Sequence, residues 1–369
     1  MKFTCEKTAL VDVLSNVQKA VAQKSTATAL EGVLVFAKNN LLEFCGYNLE
    51  LGIKTSLPAK TEKEGALVLN ASLLTEIIRK MPEETVSVEQ LENLTVRIKS
   101  GASEFEILAL DAKAFPALPE LDETATLELP AALFKSMLRQ TVFAVADTDA
   151  KPIHTGTLFE MKNKEILLVS VDGYRLALRR EAIKEDIEQT FVVPGKTLRE
   201  ILKLLPDDED SKIKISAGMR HVVFYIGKYT IISRLLEGDF LDYKATVPQK
   251  SETQAQISTK ALAESIERVS LLITDRLKSP VRCVVSTDEF HISCNTTIGK
   301  ASDSVPSKIA GEKEIEIAFN NKYMVDALKN ADTDEVVLHF NGALSPIKIL
   351  PKEGNTFLFL VLPVRIKAE

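Results

Sequence analysis

Residues 194–206, PGKTLREILKLLP, hold the grouping that most resembles chemistry, because Gly195-Lys196-Thr197 has the ending of a phosphate-binding loop. Such a loop needs a second glycine five residues before the Gly-Lys pair, so that backbone N–H groups can converge on phosphate oxygens. Position 190 is Thr190, and the intervening Phe191-Val192-Val193 has the pattern of a strand. The stretch is therefore expected to be a strand, a turn and a helix that carries lysines. The remaining reactive residue types are equally unpatterned. Cys5, Cys45, Cys283 and Cys294 form no Cys-x-x-Cys pair, so neither a zinc site nor a disulfide framework is expected. His154, His221, His291 and His339 lack metal-ligand spacing, and there is no Gly-x-Ser-x-Gly elbow or Gly-x-Gly-x-x-Gly loop. None of these spacings points to a catalytic site, and no metal or cofactor is expected.

The bulk composition agrees with a soluble globular chain. It has 369 residues, 45% hydrophobic and 27% charged, enough for two or three ordinary domains. No apolar run is long enough to cross a bilayer, and the opening MKFTCEKTAL lacks the shape of a signal peptide. Scattered cysteines suit a reducing cytoplasm, which is the expected location. A net charge of −6 argues against coating of nucleic acid along the whole surface, while leaving room for a local basic face.

The elements that would carry such a face recur three times. NASLLTEIIRK (70–80), PGKTLREILKL (194–204) and NNKYMVDALKN (320–330) align at Asn70, Pro194 and Asn320, in steps of 194 − 70 = 124 and 320 − 194 = 126. Six residues on stand Glu76, Glu200 and Asp326, and three further on Arg79, Lys203 and Lys329. A second series begins at Gly32, Gly156 and Pro280, with both steps equal to 124, and each member holds two strand-like runs joined by a polar turn. A third series of amphipathic helices runs through KTALVDVLSNV (7–17), AALFKSMLRQTV (131–142) and TKALAESIERVSLL (259–272). Stretches such as 85–110 alternate apolar and polar residues, as antiparallel strands with one wet face do. These patterns predict an α+β protein of three similar domains, 1–124, 125–251 and 252–369, each with two helices packed on antiparallel sheets.

Basic residues return at equivalent helix positions. Lys196 and Lys203, and Lys322 and Lys329, are each seven apart, two helical turns, and so share one face; Ser72 and Arg79 are their counterparts in the first domain. Arg199 joins this face, and Lys135 and Arg139 do the same on the other helix of the second domain. A solvated face is the plain reading. Basic groups recurring in an acidic chain also fit attraction to phosphates without base readout. No aromatic residues are interleaved with them, so stacking on single strands is not indicated.

The start MKFT, the run VDGYRLAL, LEGDFLDYKATVP, AFNNKYMVDAL and the tail FLVLPVRI together resemble the bacterial DNA polymerase III β subunit, the replication sliding clamp, over the whole chain. The resemblance implies three similar domains per chain and two chains closed head to tail into a six-domain ring, helices inside and sheets outside. Twelve helices of about 10 Å diameter make a circle about 120 Å round and leave a clear hole of about 28 Å, enough for a duplex. It implies a homodimer that encircles duplex DNA, slides on it and tethers the replicative polymerase, the clamp loader and repair proteins through short peptides. The DNA-facing set becomes Lys24, Arg79, Lys80, Lys135, Arg139, Lys196, Arg199, Lys203, Lys322 and Lys329.

By the same resemblance a peptide pocket would use His154, Val171, Gly173, Tyr174, Arg175 and Leu176, then Leu241, Thr246 and Leu277. Asn320, Tyr323, Leu344, Ser345, Pro346, Leu362, Pro363, Val364 and Arg365 would complete it. Leucine type alone points the other way for Leu344 and Leu362, toward the core. Leu241 stands where a proline is common and Leu277 where an aromatic often sits, while Lys367-Ala368-Glu369 extends the usual end. The strand SEFEILAL (103–110), with Phe105, Ile107 and Leu108, is expected to pair across chains with 296–305, beside Leu272 and Ile273, because exposed strand edges demand cover.

Overall fold

The structure, a computed structural model, describes residues 1–119, 125–148, 151–274, 279–286, 289–311 and 314–365. Seven α-helices are found there: α1 Lys7–Val17, α2 Ala71–Lys80, α3 Ala131–Val142, α4 Gly195–Leu204, α5 Tyr243–Thr246, α6 Thr259–Val269 and α7 Asn321–Lys329. Six of them are the two repeated helical series, and the short α5 was not expected. The aligned asparagines explain two helix starts. Asn70 Oδ1 accepts from Leu73 N at 2.9 Å, and Asn320 Oδ1 accepts from Lys322 N and Tyr323 N at 2.9 and 3.4 Å. A cap of this kind satisfies backbone donors that have no partner inside the helix.

The described chain separates into two compact units, residues 1–132 with 203–235 and residues 133–202 with 236–369. This division is offset from the sequence repeat because sheets run across repeat boundaries. In unit 1, Leu51–Pro58 pairs with Tyr229–Arg234 (Thr230 opposite Lys54, Ser233 opposite Leu51), which builds a nine-stranded antiparallel sheet. A five-stranded sheet ends on Ser103–Leu108, beside Thr95–Ser100. In unit 2, Arg175–Ala182 pairs with Phe357–Val361 (Leu176 opposite Leu360), giving a twelve-stranded sheet.

The repeat is visible in register as well as in spacing. Gly32 lies opposite Asn70 as Gly156 lies opposite Pro194, both pairs displaced by 124. Apolar residues at strand and helix spacing form the cores: Leu74, Ile77 and Ile78 of α2 are buried, as are Leu198 and Ile201 of α4 and Met324, Ala327 and Leu328 of α7. All four cysteines are buried free thiols, and burial pushes the Cys5 and Cys45 thiols up to about 12. They act as small apolar side chains rather than nucleophiles.

Candidate peptide pocket and nucleic-acid interface

Within unit 2 the strands Glu165–Val171 and Arg175–Ala182 close at the pair Val171–Leu176. The turn between them is shaped by its sequence. Asp172 Oδ1 accepts from the backbone N–H groups of Tyr174 and Arg175 at 2.9 and 3.0 Å, and Gly173 adopts φ +88°, open on its Cβ side. A residue with a side chain would be strained there. Leu176 is thereby turned inward, 3% exposed, into a cluster with Val171, Leu360 and Tyr243. Tyr174 is turned outward and is 62% exposed.

Arg175 organises what surrounds the turn. Its Nε donates to Asp172 Oδ2 at 2.8 Å and its Nη1 to Asp326 Oδ2, on α7, at 2.6 Å. Its guanidinium lies 4.6 Å from the centre of the Tyr323 ring and 5.5 Å from that of Phe143. Tyr323 in turn stacks on Tyr174, with ring centres 6.1 Å apart and planes 19° apart. Burial raises the Tyr323 phenol above its ordinary value, so it is neutral near pH 7.

The tail is laced by its backbone between this turn and the strand Ile315–Phe319. Leu362 N donates to Tyr174 O at 2.9 Å, Val364 N donates to Ala318 O at 2.8 Å, and Pro363 bridges to Phe319. Leu362 and Val364 are consequently 39% and 38% exposed although their main chain is pinned. Leu344, in a turn where Ser345 N donates to Gly342 O, is 72% exposed. The expectation of Leu344 and Leu362 as core leucines is thus corrected. Leu362 follows Val361, the last buried residue of its strand, and Leu344 stands outside any strand, so neither has a sheet face to pack on.

The other pocket residues sit on neighbouring elements. His154 is buried and meets Phe240 edge-to-face at 5.7 Å. Leu241 packs on the cluster that holds Leu176, and Thr246 ends α5 with its Oγ1 donating to Tyr243 O at 2.8 Å. Ser345 and Pro346 are half-buried beside Leu344, and Arg365 is exposed. Asn320, Lys322 and Val364 line a cleft of about 630 Å³ together with Ile273. Leu277 and Lys367-Ala368-Glu369 lie outside the described residues. Sequence reasoning passed over Asp172 and Asp326, although Asp326 had appeared in the helix alignment and Asp172 stands three residues before Arg175.

The basic helix faces are solvated. Lys196 and Lys203 of α4 are exposed, and Arg199 is half-buried, 3.8 Å from Asp147. Arg79 and Lys80 of α2 point outward, with Arg79 Nη2 donating to Ser15 Oγ at 2.9 Å. On α7, Lys322 is exposed and Lys329 Nζ meets Glu267 Oε1 at 2.6 Å, a hydrogen bond that raises its pKa. Arg139 and Lys24 are exposed and Lys135 is half-buried. Gly195 owes its presence to packing: a Cβ there would come within 2.7 Å of Val145 Cγ1 and 3.1 Å of Thr155 O. Thr197 is buried at 3% exposure, so the Gly-Lys-Thr run offers no open hydroxyl to a metal-bound phosphate.

Two strand edges are equally distinct. Phe105 and Leu108 on the outermost strand of the five-stranded sheet are 43% and 78% exposed, with Ile107 half-buried. In the long strand Gly299–Gly311, residues 299–306 pair with 289–296, while 307–311 pair with 253–257. Leu272 lies over Gly299, Ile273 packs against the core of unit 2, and Leu271 is 81% exposed.

Residues 1–119, 128–242 and 244–365 match the N-terminal, central and C-terminal domains of the DNA polymerase III beta subunit. The beta sliding clamp of Bacillus subtilis is 35% identical over 99% of this chain and 100% of its own. The chain belongs to the DNA polymerase III beta subunit family. The crystal structure of the DNA polymerase sliding clamp from Bacillus subtilis superposes with a TM-score of 0.95 at 33% identity, covering 99% of both chains. That of the DNA polymerase III beta subunit from Thermotoga maritima gives 0.90 at 27% identity, again over 99% of both. The fold is therefore the three-domain α+β clamp, and the family is a non-catalytic processivity factor of DNA replication.

Proposed function

We propose that two copies of this chain close head to tail around duplex DNA, and that the site around Tyr174, Tyr323 and Leu362–Arg365 captures short peptides from the polymerase, the clamp loader and repair proteins. Family membership supports the processivity role itself. The residue assignments rest on what this chain displays. Arg79 and Lys80 of α2, Lys196 and Lys203 of α4 and Lys322 of α7 are exposed, and phosphate contact without base readout suits sliding. Among the described residues, Ser103–Leu108 of unit 1 and residues 299–306 of unit 2 each have a strand partner along one edge only, and open edges of this kind suit a heterologous contact that closes. The cytoplasm, where bacterial DNA resides, is the proposed location.

One observation carries the peptide reading. Leu362 and Val364 are held by backbone hydrogen bonds yet present apolar side chains to solvent, next to an exposed tyrosine stacked on a second. Core packing has no use for such an arrangement, whereas a partner's leucine or aromatic side chain does. The test of the whole reading is topological. The loaded protein should stay on nicked circular DNA and be lost when the circle is linearised; equal retention on both forms would mean ordinary surface binding or a peptide scaffold.

A further inference from the structure

The threefold repeat isolates one side chain that the fold does not require. The opposed pairs Glu43–Ser56, Leu167–Arg180 and His291–Ser304 occupy one register position in the three repeats, since 180 − 56 and 304 − 180 both equal 124. A small hydroxyl serves this strand position twice, and only the second repeat places a guanidinium there. The main chain of Arg180 is pinned, its N donating to Thr356 O at 2.8 Å. Its Nε is shut away from solvent and has no hydrogen-bond partner. A buried donor without an acceptor carries a desolvation cost that an arriving acceptor would remove.

Arg180 borders a cavity of about 540 Å³ in unit 2. Leu167, Leu178, Tyr243 and Leu358 make part of its wall apolar and pack in the same cluster as Leu176. Its charged groups are Arg180, Glu160, Lys162, Glu165 and Lys244. Three of these are already matched. Glu160 accepts from Lys244 Nζ at 2.8 Å and from the Tyr243 hydroxyl at 3.1 Å, and Lys162 Nζ meets Glu188 Oε1 at 3.0 Å. Glu165 lies opposite Ala182, two residues along from the Leu167–Arg180 pair. Among the described residues, Arg180 is therefore the one cation of this cavity that no carboxylate pairs.

We infer that this cavity extends the peptide site proposed above, on which the inference rests, and takes the carboxylate of an acidic residue in the bound peptide, with Arg180 as the donor. Leu176 and Arg180 are four residues apart on one strand, so they share a face and stand about 13 Å apart. An extended peptide covers that span in about four residues. A glutamate four residues from a leucine held over Leu176 thus reaches the guanidinium, whose planar fork fits a carboxylate. Its methylenes meet the apolar wall. Glu165 opposes the arriving charge and limits the gain.

The test is calorimetric titration of the full-length protein with Ac-Glu-Ser-Gly-Ser-Leu-Ser-Phe-NH2, with the reversed order Ac-Phe-Ser-Leu-Ser-Gly-Ser-Glu-NH2, and with both peptides carrying glutamine for glutamate. In one order the glutamate peptide should bind about tenfold tighter than its glutamine twin. Arg180→Ser, which installs the side chain of the other two repeats, should abolish that difference and leave the glutamine peptide's affinity unchanged. Should it not fold, Arg180→Gln is used in its place. Glu165→Gln should widen the difference. Glutamine peptides that bind the wild type as tightly as their glutamate twins, in both orders, would overturn this inference and leave the peptide pocket standing. A glutamate advantage that persists without Arg180 would overturn it as well, and failure of all four peptides to bind would overturn both readings.

Discussion

Replacing Arg175 by alanine should weaken the proposed peptide pocket without touching a residue of its apolar surface. The guanidinium is 11% exposed and is held by Asp172 at 2.8 Å and Asp326 at 2.6 Å. Charge-assisted hydrogen bonds contribute about 1.5–3 kcal/mol each, and the contact over the Tyr323 ring about 0.5–2 kcal/mol. Asp326 is 32% exposed, which places its share at the low end. Asp172 keeps its two backbone donors, so it is not left orphaned. Together these give a loss of about 3 kcal/mol in the folded state. The part felt by a peptide is the loosening of Tyr323 and Tyr174, about 1.4 kcal/mol, or a roughly tenfold weaker Kd.

Calorimetric titration with a short peptide from a clamp-binding polymerase reads that change. Tyrosine emission reads its cause, because the chain has six tyrosines and no tryptophan. Arg175→Lys keeps the charge but cannot reach two carboxylates with one planar fork, so it should fall between wild type and alanine. Unchanged peptide affinity together with unchanged tyrosine emission in a folded Arg175→Ala protein would refute the reasoning.

Three other outcomes are expected. Converting Lys196, Arg199 and Lys203 to glutamate should leave folding intact and reduce retention on DNA; if all three meet phosphates, the slope of log affinity against log salt falls by about 2.7, and an unchanged slope would place α4 away from the duplex. Leu108→Asp, at a residue already 78% exposed, should leave each chain folded and convert a dimer to monomers in light scattering; a dimeric mass at micromolar concentration would locate the interface elsewhere. Burial, and then Lys348, lowers the His339 pKa below its ordinary 6.5, so below that pH the unfolded chain takes up the proton first. Stability is full above about pH 6.5 and declines as pH falls further. His339→Gln should flatten part of the drop in melting temperature between pH 7 and pH 5.5, and an identical drop in both proteins would exclude this histidine.

Much of the architecture was legible because it is periodic. The 124-residue steps, the asparagines at helix starts and the alternation in 85–110 each follow from local constraints: a cap needs a short polar acceptor, and a two-faced strand needs alternate apolar residues. Absence of catalytic spacing was equally readable, and Gly195 proves to be a packing glycine. The strand 103–108 showed its alternation too. That neither of its faces is buried within the chain emerged only from the fold.

By itself the sequence determined the repeat, the helices and strands, the solvated basic faces and, through its motifs, the family. Tertiary structure alone decided the division into two units, because that depends on which strands meet across repeat boundaries, such as Leu51–Pro58 with Tyr229–Arg234. It also decided the fate of individual side chains. Leu344 and Leu362 are chemically core residues, yet they end outside the sheets, and Arg175, 151 residues away from Asp326, is tied to it. Residue type sets what a side chain prefers; which preference is met depends on neighbours brought together by long-range pairing, and local spacing holds no record of them.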